Sequence, residues 1–295
     1  MVTVTLIPMI ADQITPFVFD ALPVRGALIH LSRAWRRMLR DHHYDDVVRE
    51  TLGHAAAATG LIAQSMKFDG AITLQIQGEG NLHMLVMQCT SELEVRGMAS
   101  SNEDGGARDF GELMRNAHCA ITVDTGDRPY QGIVEIEQSS LGASLQNYFA
   151  RSVQVPSHVM LVSDASLSGG ILLQQMPGQS VLDEDDWNRL GFVAATLRTS
   201  DFGNGGNMEL IGKLFAEDDV RVFESNPVVF RCRCSRRRAE EVLRMLGEEE
   251  TSEAVAEHGI VDVTCEYCGR RRSFDPIDIS RLFADNVVSG PDSVQ

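Results

Sequence analysis

Six cysteines occur in the 295-residue chain, and four of them form two tight pairs. Cys232 and Cys234 stand one residue apart in "FRCRCSRRR", and Cys265 and Cys268 form "CEYCG" after thirty intervening residues. Closely spaced thiolates chelate one ion and a second pair closes the tetrahedron. C-x-C followed by C-x₂-C therefore has the layout of a four-thiolate zinc site. It is also the layout of a redox switch, since neighbouring thiols oxidise readily. Arg231, Arg233, Arg236, Arg237 and Arg238 surround the first pair, and Arg270, Arg271 and Arg272 follow the second. Positive charge favours thiolate over thiol, which strengthens metal binding and oxidation alike. The same arginines also read as a solvated face paired with Glu240, Glu241 and their neighbours.

Other candidates carry less. Cys89 and Cys119 lie in apolar, strand-like contexts and read as inert core residues. His42 and His43, in "DHHYDD", read as a solvated loop, His258 as a surface residue, and "GEG" at Gly78–Gly80 as a turn. Neither G-x-S-x-G nor H-E-x-x-H occurs, and "LGASLQ" around Ser144 lacks the second glycine. A thioredoxin-like site needs C-x-x-C just after an early strand, whereas Cys265 and Cys268 come late. No catalytic residue is assigned, and an enzyme is not expected.

The frame that must position the thiols is that of a folded protein, with 43% hydrophobic and 23% charged residues. A formal net charge of −16 repels phosphate and argues against a general nucleic-acid or anionic-membrane binder. From residue 226 onward ten arginines face thirteen acidic residues, with no lysine. The start "MVTVTLIPMIADQ" does not read as a signal peptide, and no stretch approaches the roughly 20 apolar residues that span a bilayer. The expected compartment is the cytoplasm, where paired cysteines bind metal or sense redox state.

Residues 16–32 read as extended segments broken at Pro23 and Gly26, then a short helix with Ser32 as N-cap. The alanine-rich "YDDVVRETLGHAAAATGLIAQSMK" reads as a buried helix. "GAITLQIQGEGNLHMLVMQC" reads as a hairpin with Ile72, Leu74 and Ile76 on one strand and Leu82, Met84 and Val86 on the other. Further strands fit "AHCAITVD", "YQGIVEIEQ", "SHVMLVSD" and "GGILLQQMP", with a helix at "SLGASLQNYFARS". The expected fold is α+β. A mixed or antiparallel N-terminal sheet with packed helices (1–178) leads to a helical linker (179–230) and a small C-terminal four-cysteine zinc domain (231–295). Two amphipathic helices mark the linker. One carries Trp187, Leu190, Ala194 and Leu197 as a stripe, the other Leu210, Ile211, Leu214 and Phe215. Neither buries its stripe alone, so both must dock. The tail "NVVSGPDSVQ" reads as disordered.

"FRCRCSRRR…VTCEYCGRRRSFDPIDI" closely resembles the redox-regulated 33 kDa heat-shock chaperonin family, and "LPVRGALIHLS", "MKFDGAITLQIQGEGNL", "YQGIVEIE", "LQNYFARSVQVPSHVMLV" and "GGILLQQMPGQ" extend the resemblance along the chain. The resemblance implies a holdase that is inactive when reduced and zinc-loaded. Oxidised and zinc-free, it would dimerise and bind unfolding proteins. By motif position Cys232, Cys234, Cys265 and Cys268 hold one zinc ion and are also the redox-active thiols. On that footing the expected disulfides join neighbours in sequence, Cys232–Cys234 and Cys265–Cys268. Clients would bind the linker stripes, with Trp187, Leu190, Leu210, Leu214 and Phe215 as candidates. A zinc-ribbon adaptor for RNA or a protein partner and a thiol-disulfide oxidoreductase are the rival readings.

Overall fold

The structure, a computed structural model, describes residues 11–102, 106–126, 129–178, 182–203 and 206–284. The tail "NVVSGPDSVQ" and most of the N-terminal segment lie outside the described residues. The chain divides into two compact units, one through Arg231 and one from Cys232 onward.

The first unit begins with β1 (Gln13–Phe19), β2 (Val24–Leu31), α1 (Arg33–Leu39) and α2 (Asp46–Ser65). It continues with β3 (Ala71–Gln77), β4 (Leu82–Thr90), β5 (Glu94–Ser101), α3 (Phe110–Leu113), β6 (His118–Asp124) and β7 (Tyr130–Val134). Next come α4 (Leu141–Tyr148), β8 (Ser157–Ser163), β9 (Ser168–Gln175), α5 (Glu184–Ala195) and α6 (Gly206–Leu214). Three short strands close it: β10 (Val220–Val222), β11 (Asn226–Pro227) and β12 (Val229–Phe230). Where a single sheet was expected, the described strands of this unit form two of six. One runs β10-β1-β2-β9-β8 with β11 also on β1, and the other β12-β5-β4-β3-β6-β7. All pairings are antiparallel except β12 on β5.

Helix α2 lies between the sheets, against β2, β8 and β9 of one and β4 and β5 of the other. Its residues from Ala55 to Ala63 are all buried, as they must be in a helix covered on every side. Small side chains let the sheets approach; a Cβ at Gly60 would stand 2.4 Å from Ile29 Cδ1. Because the first sheet is covered on both faces, β2 and β9 are buried almost continuously rather than on alternate residues.

Three local expectations change. Gly26 does not break the chain; it sits within β2, where a Cβ would meet the Phe17 ring at 2.3 Å, so glycine there makes room for the aromatic on β1. The Ser32 side chain does not cap α1. The buried Asp12 carboxylate accepts from the backbone N–H groups of Ser32, Arg33 and Ala34 instead, an anion on the positive end of the helix. In β4 a bulge between Leu82 and Met84 shifts the alternation, so Leu85, Met87 and Cys89 face the core in place of Met84 and Val86.

The second face of the first sheet carries α5 and α6. Phe17, Phe19, Leu28, Ile171 and Leu173 of the sheet pack with Leu190, Ala194, Leu197, Leu210, Ile211 and Phe215 in one cluster.

The second unit holds α7 (Arg236–Leu246), α8 (Glu248–His258), the hairpin β13 (Val261–Thr264) and β14 (Arg271–Phe274), and α9 (Pro276–Ala284). Its core is small: Ala239, Leu243, Val255, Phe274, Ile279, Leu282 and Phe283. No helix among the described residues is long and apolar enough to cross a membrane.

Candidate metal centre

Cys232 and Cys234 lie on the extended segment that enters α7, which Ser235 caps by accepting from the Arg238 N–H at 3.2 Å. Cys265 and Cys268 occupy the tight turn joining β13 to β14. There the Cys265 carbonyl accepts from the N–H groups of Cys268 (3.3 Å) and Gly269 (2.8 Å), and Cys265 N–H donates to Arg270 O (3.1 Å). Gly269 has φ 63°, a left-handed value that glycine adopts without a Cβ penalty. Backbone geometry thus points both thiols of the turn the same way.

The four sulfurs all lie within 4.8 Å of one another. Two contacts across the pairs are short, Cys232 Sγ to Cys265 Sγ at 3.6 Å and Cys234 Sγ to Cys268 Sγ at 3.5 Å. A disulfide needs about 2.05 Å. Four thiolates around one zinc at about 2.3 Å stand about 3.8 Å apart by tetrahedral geometry, so the spacing fits an ion and not a bond. Desolvation pushes the Cys232 thiol up to about 12 and raises Cys268 as well. For Cys234 burial opposes ionisation, but hydrogen bonds from the other three thiols and the Arg270 charge outweigh it and hold this thiol below its ordinary value. A divalent cation is what allows all four to ionise together. The residues fit a bound metal.

Several of the surrounding arginines are committed elsewhere. Arg236 pairs with Asp278 (2.8 Å) and Glu240 (3.3 Å) and lies 4.4 Å over the Phe274 ring; Arg237 pairs with Glu241 (3.4 Å) and Arg271 with Asp262. These side chains fasten helices and hairpin, so the solvated-face reading holds for them. The charge of Arg270 acts on the Cys234 thiol. Cys89 and Cys119 are buried within the second sheet, where desolvation pushes both thiols up to about 12. His258 is an exposed neighbour of Glu257.

The linker candidates are gathered in the first unit. Leu190, Leu210 and Phe215 are buried, with Leu214 and Trp187 partly so at the same cluster. Phe215 meets Phe19 edge-on at 5.0 Å, and Trp187 stacks on His158 at 4.1 Å. Sequence reasoning missed two further fasteners. Arg189 of α5 holds Asp218 through two hydrogen bonds (2.9 and 2.7 Å), and β10, β11 and β12 stitch residues 220–230 to both sheets. Arg189 lies in an acidic run where any of several carboxylates could be its partner, and three-residue strands leave no periodicity.

A cluster of four thiols able to hold a metal, in a small unit of three helices and an antiparallel hairpin, joined to a two-sheet α+β body, is the class of protein that fold and site define. The sequence matches the Hsp33 protein family over residues 12–275. It is 38% identical over 283 residues to the 33 kDa chaperonin of Methylobacillus flagellatus, covering 95% of this chain and 97% of that one. To the 33 kDa chaperonin of Nitrosococcus oceani it is 40% identical over 277 residues, covering 94% and 96%. The fold is similar to the crystal structure of the 33 kDa chaperonin (heat shock protein 33 homolog) of Thermotoga maritima, with a TM-score of 0.78 at 22% identity, covering 94% of this chain and 100% of that one. The chain belongs to the Hsp33 family of chaperones.

Proposed function

We propose that this protein is a redox-regulated holdase, inactive while reduced and zinc-bound and active once oxidised. The observation that carries the reading is the convergence of Cys232, Cys234, Cys265 and Cys268, from two separate backbone segments, within 4.8 Å inside a unit with a small core. Those residues hold one zinc ion, which when bound supplies the charge that four thiolates need to share a site. A core of this size supplies at most about 3–5 kcal/mol, so the ligand set is also the unit's staple.

Oxidation changes what the staple spans. Holding Cys232 to Cys268 closes a loop of 37 residues (232 to 268 inclusive), worth roughly 4 kcal/mol of chain entropy. Disulfides Cys232–Cys234 and Cys265–Cys268 close loops of three and four residues and are worth under about 2 kcal/mol each. Each forms as two of the thiolates give up two electrons to hydrogen peroxide, which takes two protons from the solvent and leaves as two waters. The sulfurs are then spent as ligands, zinc is released, and the C-terminal unit unfolds. In this account residues 1–178 are the core domain, 179–230 the linker and 231–295 the switch. With the switch unfolded the linker leaves the first sheet. The bared surfaces, including Trp187, Leu190, Leu210, Leu214 and Phe215, bind unfolding proteins.

The protein works in the cytoplasm, where reducing thiol pools keep the four cysteines metal-bound, and as a homodimer once activated; the acidic chain offers nucleic acid no favourable field. The test is light scattering of an aggregating client, with the protein reduced plus zinc or peroxide-treated. Suppression is expected only after peroxide. Equal suppression in both states contradicts the switch, and turnover in insulin reduction would make the protein an oxidoreductase instead.

A further inference from the structure

Strand β12 closes the second sheet by lying parallel to β5, in the register Val229 opposite Glu94 and Phe230 opposite Val95. Main-chain groups set the register. Val229 N–H donates to Leu93 O at 3.1 Å and Arg231 N–H to Val95 O at 3.0 Å. The Val229 side chain faces water, 54% exposed. Side chains add the buried Val228 just before the strand, the half-buried Phe230 ring, which packs against the main core 5.8 Å from the Arg37 guanidinium, and the Arg231–Glu94 ion pair at 2.6 Å. A pair with one partner this exposed is worth about 1 kcal/mol or less. Farther along β5 a side chain takes over, as Ala99 N–H donates to the Tyr44 hydroxyl at 3.2 Å. A two-residue strand thus covers the edge carbonyls of Leu93 and Val95, and the next residue after Arg231 is Cys232.

We infer that this edge of β5 is a strand-addition site, covered by the chain's own β12 while the thiols hold metal and taken by an extended segment of an unfolding client once β12 leaves. The inference rests on the redox-switch reading above and names where one part of the client is held. The occupant follows from what the edge already accepts, an extended strand with its outward side chain in solvent, recognised through backbone carbonyls. Such pairing selects for extended conformation and hardly for sequence. That is the recognition a holdase of many unrelated clients needs, and apolar surface alone does not provide its direction or register. Uncovered edges invite pairing with whatever strand is near, so an edge left open in the resting protein is a hazard that β12 removes.

The test uses the full-length protein and hydrogen exchange read on the peptide spanning residues 93–99. Peroxide oxidation is expected to speed exchange there at least tenfold. Guanidinium-unfolded citrate synthase, diluted in as the client, is expected to restore most of that protection. A second measurement locks β12 in place with a Val229→Cys, Glu94→Cys disulfide, set against a Val229→Ser, Glu94→Ser control. The locked protein, oxidised and zinc-free, should suppress aggregation at least threefold less well than the control. Exchange unchanged by oxidation or unrestored by client overturns the site, as does full activity in the locked protein. Protection that returns with rising concentration of the protein itself overturns it too, since the occupant is then a second copy. If oxidised wild-type protein fails to hold citrate synthase at all, the switch reading falls first and this site with it.

Discussion

Two kinds of cysteine share this chain, and their neighbours rather than their burial separate them, since Cys268 is as buried as Cys89 and Cys119. Desolvation pushes the Cys89 and Cys119 thiols up to about 12, and among the described residues neither belongs to a cluster that could hold a metal ion. The other four stand together, and Arg270 lowers the cost of charge at Cys234. Combining Cys234→Ser with Cys265→Ser should therefore abolish zinc binding, measured by metal analysis of purified protein. Cys89→Ser and Cys119→Ser should leave one zinc per chain. Zinc retained by the double variant would show that these thiols are not the ligands. A second residue sets a pH dependence. Burial in α2 lowers the His54 pKa from 6.5 to about 4, so below pH 6.5 the unfolded chain takes up a proton that the folded one refuses. Stability from this group is present above pH 6.5 and is lost as pH falls toward 4, by up to about 3 kcal/mol. His54→Gln should flatten the fall of the urea midpoint between pH 6.5 and 4.5; an unchanged slope would assign the acid sensitivity elsewhere.

At the scale of elements, the question is what keeps α5 and α6 on the first sheet. Phe215 sits between Phe17 and Phe19, at centroid distances of 5.7 and 5.0 Å, and is the largest apolar anchor of α6. Phe215→Ala should cost about 3–5 kcal/mol of docking. The reduced, zinc-loaded variant should then suppress client aggregation without oxidant while keeping its zinc. If it stays folded by circular dichroism and as inactive as wild type, the linker face is not what clients wait for. The two stripes were legible because a 3.6-residue period over twelve residues is a strong local signal, and so was the alanine-rich helix that the sheets enclose. What escaped was non-local. Nothing in the local sequence announces a bulge at His83, a helix capped by a carboxylate twenty residues upstream at Asp12, or strands as short as β11 and β12. Such features exist only because distant segments meet. The convergence of the four thiols was legible because their spacing in the sequence already has the layout of a chelating set.

For the whole molecule, the proposed switch makes the fold of the second unit the latch that keeps the linker helices docked. Truncation after Phe230 removes the latch along with the Arg231 bonds to Val95 and Glu94. The truncated protein should hold clients without oxidant, judged by light scattering beside the full-length reduced protein; a folded but inactive truncation would remove the latch from the account. The connectivity of oxidation bears on the same claim. Since Cys232 Sγ is also 3.6 Å from Cys265 Sγ, proximity in the folded state does not choose the disulfides, and peptide mapping must. Cys232–Cys234 with Cys265–Cys268 is the outcome that loosens the unit, whereas a dominant Cys232–Cys268 bond keeps the long loop closed. The most direct measurement follows zinc release and aggregation suppression in one sample during peroxide oxidation. One zinc per chain is expected beforehand, with no holdase activity while it is bound and activity that rises as zinc appears in solution. Full activity with zinc still bound, or complete zinc release with no gain of activity, would contradict the switch.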